Sequence, residues 1–415
     1  MTRSQLLTRS ALVSLLVLTA CGDDDDDTAT ATTESGSDTT AAPEETTTTV
    51  ALTGEPVKIM VLFEGSGAVA TPEVPDGAIA AAEAINASGG IGGSPVEILQ
   101  CDLANDPNTA RECGQQAVDE AVVAVVGPVS ANGGEYFPLL EAAQIPVVGN
   151  VPASISDFTS PASFPLYGGI VTASAGLADV LVTEAGATTV SLARIDLAAA
   201  AAIGTFANVS LQRSGLAVNN DVAIPVGAPD MATYVASALE GGTDGVLVGL
   251  SGQDATNFII QLRQTAPDVP ISATTTEFDA VVEALGDAAD GIYVTGFFDD
   301  PTTNPEGYEQ FTADLEAAGF DEDGGFRNNS YSAVQLVAEV LGGLDEHTGA
   351  ALMAALPTVD GLDLPLLPPI QFVTGGVGGV ARLFNPCGLY RQLDGGEFTT
   401  LTEGFIDMIT GEPCA

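Results

Sequence analysis

The stretch Gly77–Val118, GAIAAAEAINASGGIGGSPVEILQCDLANDPNTARECGQQAV, reads as a helix, a tight turn, a strand and a second helix. Ile79, Ala82 and Ile85 fall on one helical face. Asp76 ahead of them is a suitable N-cap, and Gly89 or Gly90 a suitable terminator. VEILQCD (96–102) is a short apolar run bounded by turn residues, which reads as a strand. Pro107 suits the first turn of the helix that follows.

Outward from this unit the alternation continues. VKIMVLF (57–63) precedes it as a buried strand; VVAVVGP (122–128), GGEYFPLLEAAQ (133–144) and IPVVGN (145–150) follow as strand, helix and strand. The pattern then restarts, with helices at 172–186, 199–215, 230–242 and 253–266 between strands at 188–195, 216–226, 244–250 and 269–275, and one more strand at 290–298. A Pro-rich stretch, DDPTTNPEGY (299–308), leads to helices at 307–319 and 330–344, and PIQFVTGG, GLYRQLDGGEFTTL and GFIDMIT close the chain as strands in hairpins. Strict strand–helix alternation predicts α/β architecture: two doubly wound lobes, each around a parallel central sheet. In such sheets ligands sit beyond the carboxyl ends of the strands.

The first 54 residues belong to neither lobe. Arg3 and Arg9 flank the apolar run Ala11–Ala20, which is too short to span a bilayer and fits a signal peptide over residues 1–20. LTAC (18–21) resembles a lipobox, which makes Cys21 a lipidation site and a two-chain membrane anchor. Residues 21–54 are Asp, Thr, Ala and Ser with few large apolar groups, a disordered tether spanning roughly 30 Å. The chain carries a net charge of −46; without the nine acids of the tether and the two signal arginines the remainder stands near −39. Such a body excludes nucleic acid as a partner, and the membrane is met only through the anchor. Cys101, Cys113, Cys387 and Cys414 remain in an exported chain; four cysteines allow three connectivities, and proximity favours Cys101–Cys113 with Cys387–Cys414. No CxxC occurs and His347, expected exposed at a helix start, is the one histidine, so neither a metal nor a cofactor is expected.

The opening stretch, with VVAVVGPVSA (122–131), AAQIPVVGN (142–150), DAADGIYVTGFFDD (287–300) and NNSYSAVQLVAEVL (328–341), resembles the leucine/isoleucine/valine-binding family of bacterial solute-binding proteins. The likeness runs from Val57 to about Phe384 and implies the type I periplasmic-binding-protein fold, two lobes joined by a three-crossing hinge near Ile170, Asp299 and Pro368. Lobe one would take 55–170 and 300–367, and lobe two 171–299 and 368–415. The resemblance implies a monomeric extracytoplasmic receptor that closes on a small-molecule solute and delivers it to the permease and ATPase subunits of an ABC importer.

For the site, lobe one would contribute Glu64 and Ser66, then Ser130, Ala131 and Asn132, then Asn150, Val151, Ala153 and Ser154. In the family the second and third of these loops hold a ligand carboxylate through hydroxyl and main-chain N–H donors. Lobe two would contribute Glu277, placed where the family pairs an acid with the ligand's ammonium. Two departures stand out: Asp196 and Leu197, and again Ser251 and Gln253, occupy loops where amino-acid binders carry a tyrosine. This points away from a branched-chain amino acid and toward a more polar amino acid or an amide.

Other classes fit less well. GLSGQ (249–253) lacks the final glycine of a nucleophile elbow, and GGIGGSP (89–95) precedes a strand rather than following one, so an enzyme is not expected. A sensor of the same fold without a transport role, and a surface lipoprotein with a degenerate cleft, stay open at this point.

Overall fold

A computed structural model of the chain describes residues 52–66, 70–197, 200–274, 278–320, 324–373 and 380–414. The signal, residues 21–51 of the expected tether with Cys21, and Glu277 lie outside the described residues; the tether's last residues are held rather than free, Thr53 and Gly54 donating their N–H groups to the Gly93 carbonyl. The first sheet is built by β1 (Val57–Phe63), α1 (Val74–Ala87), β2 (Val96–Asp102), α2 (Pro107–Asp119), β3 (Ala124–Val126), α3 (Gly133–Ala143), β4 (Val147–Val148), α4 (Ile155–Thr159) and β5 (Ser163–Phe164). Its strands are parallel in the order β2-β1-β3-β4-β5, with Ile59 opposite both Ile98 and Ala124.

The sheet is buried on both faces, which is why the centre of β1, Ile59–Leu62, is wholly apolar. Ile59 and Val61 face one core with α1, while Met60 and Leu62 face another with α2 and α3. Asp76 is not the N-cap. The helix starts at Val74, because Pro75 already holds the backbone angle of a first turn. Asp76 instead accepts the Arg327 guanidinium at 3.0 Å. Gly89 and Gly90 end the helix at positive φ.

The second sheet follows, with α5 (Gly169–Thr183), β6 (Val190–Ile195), α6 (Ala201–Leu211), β7 (Asp221–Ile224), α7 (Ala232–Ala238), β8 (Gly245–Gly249), α8 (Gly252–Thr265), β9 (Ile271–Ala273), α9 (Phe278–Leu285) and β10 (Ile292–Gly296). Its parallel part runs β7-β6-β8-β9-β10, the same winding order as the first. Leu192 and Leu247 pack under α5 and α6; Val246, Val248 and Ile271 pack under α7 and α8.

After β10 the chain returns to the first core with α10 (Pro305–Ala317), α11 (Arg327–Gly342), α12 (Gly349–Ala355) and the antiparallel ribbon β11 (Leu362–Leu364) and β12 (Leu367–Ile370). It then crosses back to β13 (Cys387–Asp394), β14 (Glu397–Thr400) and β15 (Ile406–Asp407), all antiparallel additions to the second sheet. The β13–β14 turn is Gly395-Gly396, both at positive φ, as a two-residue hairpin demands. Of the strand expected in PIQFVTGG, only its first two residues, Pro369 and Ile370, belong to a described strand, β12, and its last three lie outside the described residues.

Both disulfides join the neighbouring pairs. Cys101–Cys113 ties β2 to α2, and Cys387–Cys414 ties β13 to the chain end. His347 is half-buried rather than exposed, because its ring lies against Gly92 just ahead of the α12 cap Thr348. No helix among the described residues is long and apolar enough to cross a membrane.

Candidate functional site

In both sheets the winding direction reverses between the first strand and its neighbour, β1 beside β3 and β6 beside β8. Loops leaving the carboxyl ends of those strands diverge there and leave a crevice. The described predicted site residues follow the carboxyl ends of β1, β3, β4, β6 and β8.

In lobe one the loops are locked from within. Glu64 follows β1 and is only 1% exposed. One carboxylate oxygen accepts the Ser130 hydroxyl at 2.6 Å, and the other accepts the Asn105 N–H at 2.5 Å. A buried carboxylate survives only with such donors around it. Asn105 reaches it because Ala104 and Asn105 both adopt left-handed backbone angles, φ 53° and 51°. Non-glycine residues accept that conformation at a cost of order 1 kcal/mol. The turn is held by Asp102, which accepts the N–H groups of Gly65 and Ala104, and the Asn105 amide donates to the Ser66 carbonyl.

The loops after β3 and β4 leave through Gly127 and Gly149, at φ 73° and 67°. A Cβ on Gly149 would come within 2.6 Å of Ala333, so glycine lets α11 pack directly beneath the strand ends. These two loops converge. A Cβ on Gly133, the first residue of α3, would lie 2.2 Å from the Ser154 hydroxyl.

Ser154 caps α4 in a reciprocal box with Asp157. One Asp157 oxygen accepts the Ser154 hydroxyl and N–H, each at 2.7 Å, and the Ala153 N–H at 3.3 Å. The other accepts the Asn150 amide at 2.7 Å. Burial pushes the Asp157 carboxyl above its usual range, and hydrogen bonds from Ser154, Asn150 and Ala153 pull the other way. Behind both acids lies Tyr136, fully buried, its hydroxyl without a partner among the described residues. Burial raises its pKa well above normal, and the charges of Asp157 and Glu64 add to the effect.

Asn150 is thus a buried strut bonded to Asp157 and Ser163, and Glu64 a buried anchor. Ala131 and Ala153 are exposed, while Asn132, Val151 and Ser154 are half-buried.

Lobe two differs. Asp196 and Leu197 follow β6 exposed to solvent. Ser251 is the N-cap of α8 without a side-chain cap bond, and Gln253 on the first turn donates to Asn257. Both are exposed.

The crossings beside the crevice are clamped by aromatic groups. Tyr167 stacks on Phe297 at 4.6 Å between ring centroids and meets the edge of Phe298. The Arg382 guanidinium sits 4.6 Å from the rings of both Phe164 and Phe384 and donates to the Ser163 carbonyl at 2.7 Å. Burial pushes its pKa down to about 10. A cavity of about 550 Å³ lies at the second and third crossings, lined by Asp299, Asn304, Pro368, Glu403 and Phe405; none of the predicted site residues lines it.

Reading the sequence missed Asp102, Asn105, Asp157 and Tyr136. Only Asp157 left a local signal, the S-x-x-D spacing of a capping box. Among the described residues no group of three or more His, Cys, Asp or Glu could hold a metal.

Comparison with known proteins agrees with this architecture. No curated protein matches the chain by sequence. A possible leucine/isoleucine/valine-binding protein from Rhodopirellula baltica SH 1 superposes with a TM-score of 0.71 at 15% identity, over 86% of this chain and 99% of that one. The branched-chain amino acid transporter substrate-binding protein of Streptococcus pneumoniae, solved with isoleucine, gives 0.67 at 19% identity over 84% and 99%. An ABC-transporter solute-binding protein from R. palustris, solved with 4-hydroxybenzoate, gives 0.67 at 20% identity over 85% and 97%. The family model described as periplasmic binding protein matches residues 56–380, and the chain belongs to that family.

Proposed function

We propose that this chain is the extracytoplasmic solute-binding lipoprotein of an ABC importer, anchored through Cys21. It binds a small amino-acid-like or amide-like solute between its lobes and delivers it to a permease with its ATPase. The observation that carries the reading is the pair of parallel sheets wound in one order, each leaving a crevice at its first strand. Family membership supports it, as do neighbours whose bound molecules are an amino acid and an aromatic acid. The solute-facing groups are Ser66, Ser130, Ala131, Asn132, Val151, Ala153 and Ser154 on lobe one, and Asp196, Leu197, Ser251 and Gln253 on lobe two. Glu277 is the counter-ion for a solute ammonium. Glu64 and Asn150 hold the first-lobe loops in place. The lobes part at crossings near residues 170, 299 and 368.

The test is thermal unfolding against a panel of amino acids, amides, polyamines and aromatic acids. A solute at about 100 times its dissociation constant stabilises by roughly 2.7 kcal/mol. The shift should shrink in Glu277→Ala; a flat response to the whole panel defeats the receptor reading. Cys21→Ser should move the protein from the membrane fraction to the soluble one, and unchanged membrane association defeats the anchor.

A further inference from the structure

Building on the receptor reading above, we infer that the solute is a small organic ammonium ion with an apolar body and no carboxylate.

Most of the donors nominated for a solute carboxylate are already engaged. The Ser130 hydroxyl donates to Glu64, and the Ser154 hydroxyl and the N–H groups of Ser154 and Ala153 donate to Asp157. The Asn132 N–H donates to the Ser130 oxygen, and the Val151 N–H to the Pro128 carbonyl. Two carboxylates, each 1% exposed, therefore stand directly behind these loops. A solute carboxylate seated there would face like charges across a partly dry gap, where salt screens little. The positive end of α3 does not offset this, since Glu135 in its first turn already answers it.

No cation compensates. The loops 64–66, 127–132, 149–154, 196–197 and 250–253 contain no Lys, Arg or His. Five described cations are paired elsewhere: Lys58 on Glu120, Arg194 on Asp221, Arg213 on Asp179, Arg327 on Asp76 and Arg391 on Asp300, while Arg111 is exposed on α2, outside these loops. Arg263 donates to main-chain carbonyls such as that of Val269, and Arg382 is held between two rings.

An independent feature describes the rest of the solute. Ile155, next to Ser154, is 82% exposed, and Leu197, next to Asp196, is 53% exposed. Each lobe thus carries a bare aliphatic side chain beside its site loop, and a solute with an apolar body would cover both. Asp196, exposed beside Leu197, supplies a negative partner for its ammonium on the second lobe.

The experiment compares probes that share a body and differ in charge, by calorimetry and thermal unfolding of the purified full chain. Leucinamide, leucine and 4-methylpentanoate form one set, and benzylamine and benzoate the other. The amines should bind at least about tenfold more tightly than the carboxylates of the same body, and added salt should weaken them. Asp196→Asn should lower amine affinity several-fold while leaving the ligand-free unfolding midpoint in place. Leucine or either carboxylate binding as tightly as its amine overturns the inference and leaves the receptor reading standing. So does a shift from any other member of the broader panel with neither amine active. Silence from every compound defeats the receptor reading, and this inference with it.

Discussion

The two lobes wind their sheets in the same order yet finish their crevice walls in opposite ways. On lobe one the polar groups after the strands are buried and bonded to each other, with Glu64 and Asp157 at the centres of two small networks. On lobe two the corresponding groups, Asp196, Ser251 and Gln253, are exposed, and Ser251 makes no cap bond. A wall fixed in advance costs nothing to order when a solute arrives, whereas an unbonded wall keeps its donors for that solute. The difference assigns rigidity to the first lobe and adaptability to the second.

The largest break in this contrast should come from Glu64→Ala. It strands the Ser130 hydroxyl and the Asn105 N–H, and removes what stabilises the left-handed turn at Ala104 and Asn105. Unsatisfied buried groups cost about 1–3 kcal/mol each, so a loss of about 2–4 kcal/mol is expected in urea unfolding. Glu64→Gln keeps an acceptor and should lose about half of that or less. Equal and negligible losses for both would mean that the network carries no stability.

A smaller effect depends on pH at Asp157. Burial raises the Asp157 pKa, so the folded state holds that proton more tightly than the unfolded chain. Between the ordinary aspartate value of 3.8 and the raised one, the folded state binds more protons, and this carboxyl's contribution to stability falls as pH rises. Asp157→Asn removes the titration. The stability difference between wild type and variant should drift against wild type through that window, by no more than about 1.4 kcal/mol per pH unit. A flat difference would mean that the hydrogen bonds to the carboxylate cancel its burial.

What could be read from the chain divides along a physical line. Elements set by nearby residues were legible: β1 as a short apolar run, α2 behind Pro107, the Gly395-Gly396 hairpin and the two short-range disulfides. The loops at the carboxyl ends of the strands were legible as positions, because they must follow parallel strands. Their chemistry was not. Glu64 finds its partners 41 and 66 residues away, at Asn105 and Ser130, and nothing local distinguishes a buried anchor from a solute ligand. The misread start of α1 is a local failure, where Pro75 outweighed the better capping side chain of Asp76.

The smallest and sharpest test applies one substitution to both walls. Ser154 and Ser251 are each the N-cap of a helix that opens on the crevice. Ser154 accepts the Asp157 N–H and donates to its carboxylate, so Ser154→Ala should cost about 1 kcal/mol. Ser251 makes no such bond, so Ser251→Ala should change stability by less than about 0.5 kcal/mol. The order should invert for binding. Ser251→Ala removes a hydroxyl with no partner among the described residues and, on the proposed reading, should weaken whichever compound raises the unfolding midpoint, whereas Ser154→Ala removes one already committed to the protein. Equal stability losses would show that Ser251 is capped in solution after all. Equal affinity losses would show that the first wall gives up its internal bonds when the solute arrives, and the division between a rigid and an adaptable lobe would then describe only the unliganded protein.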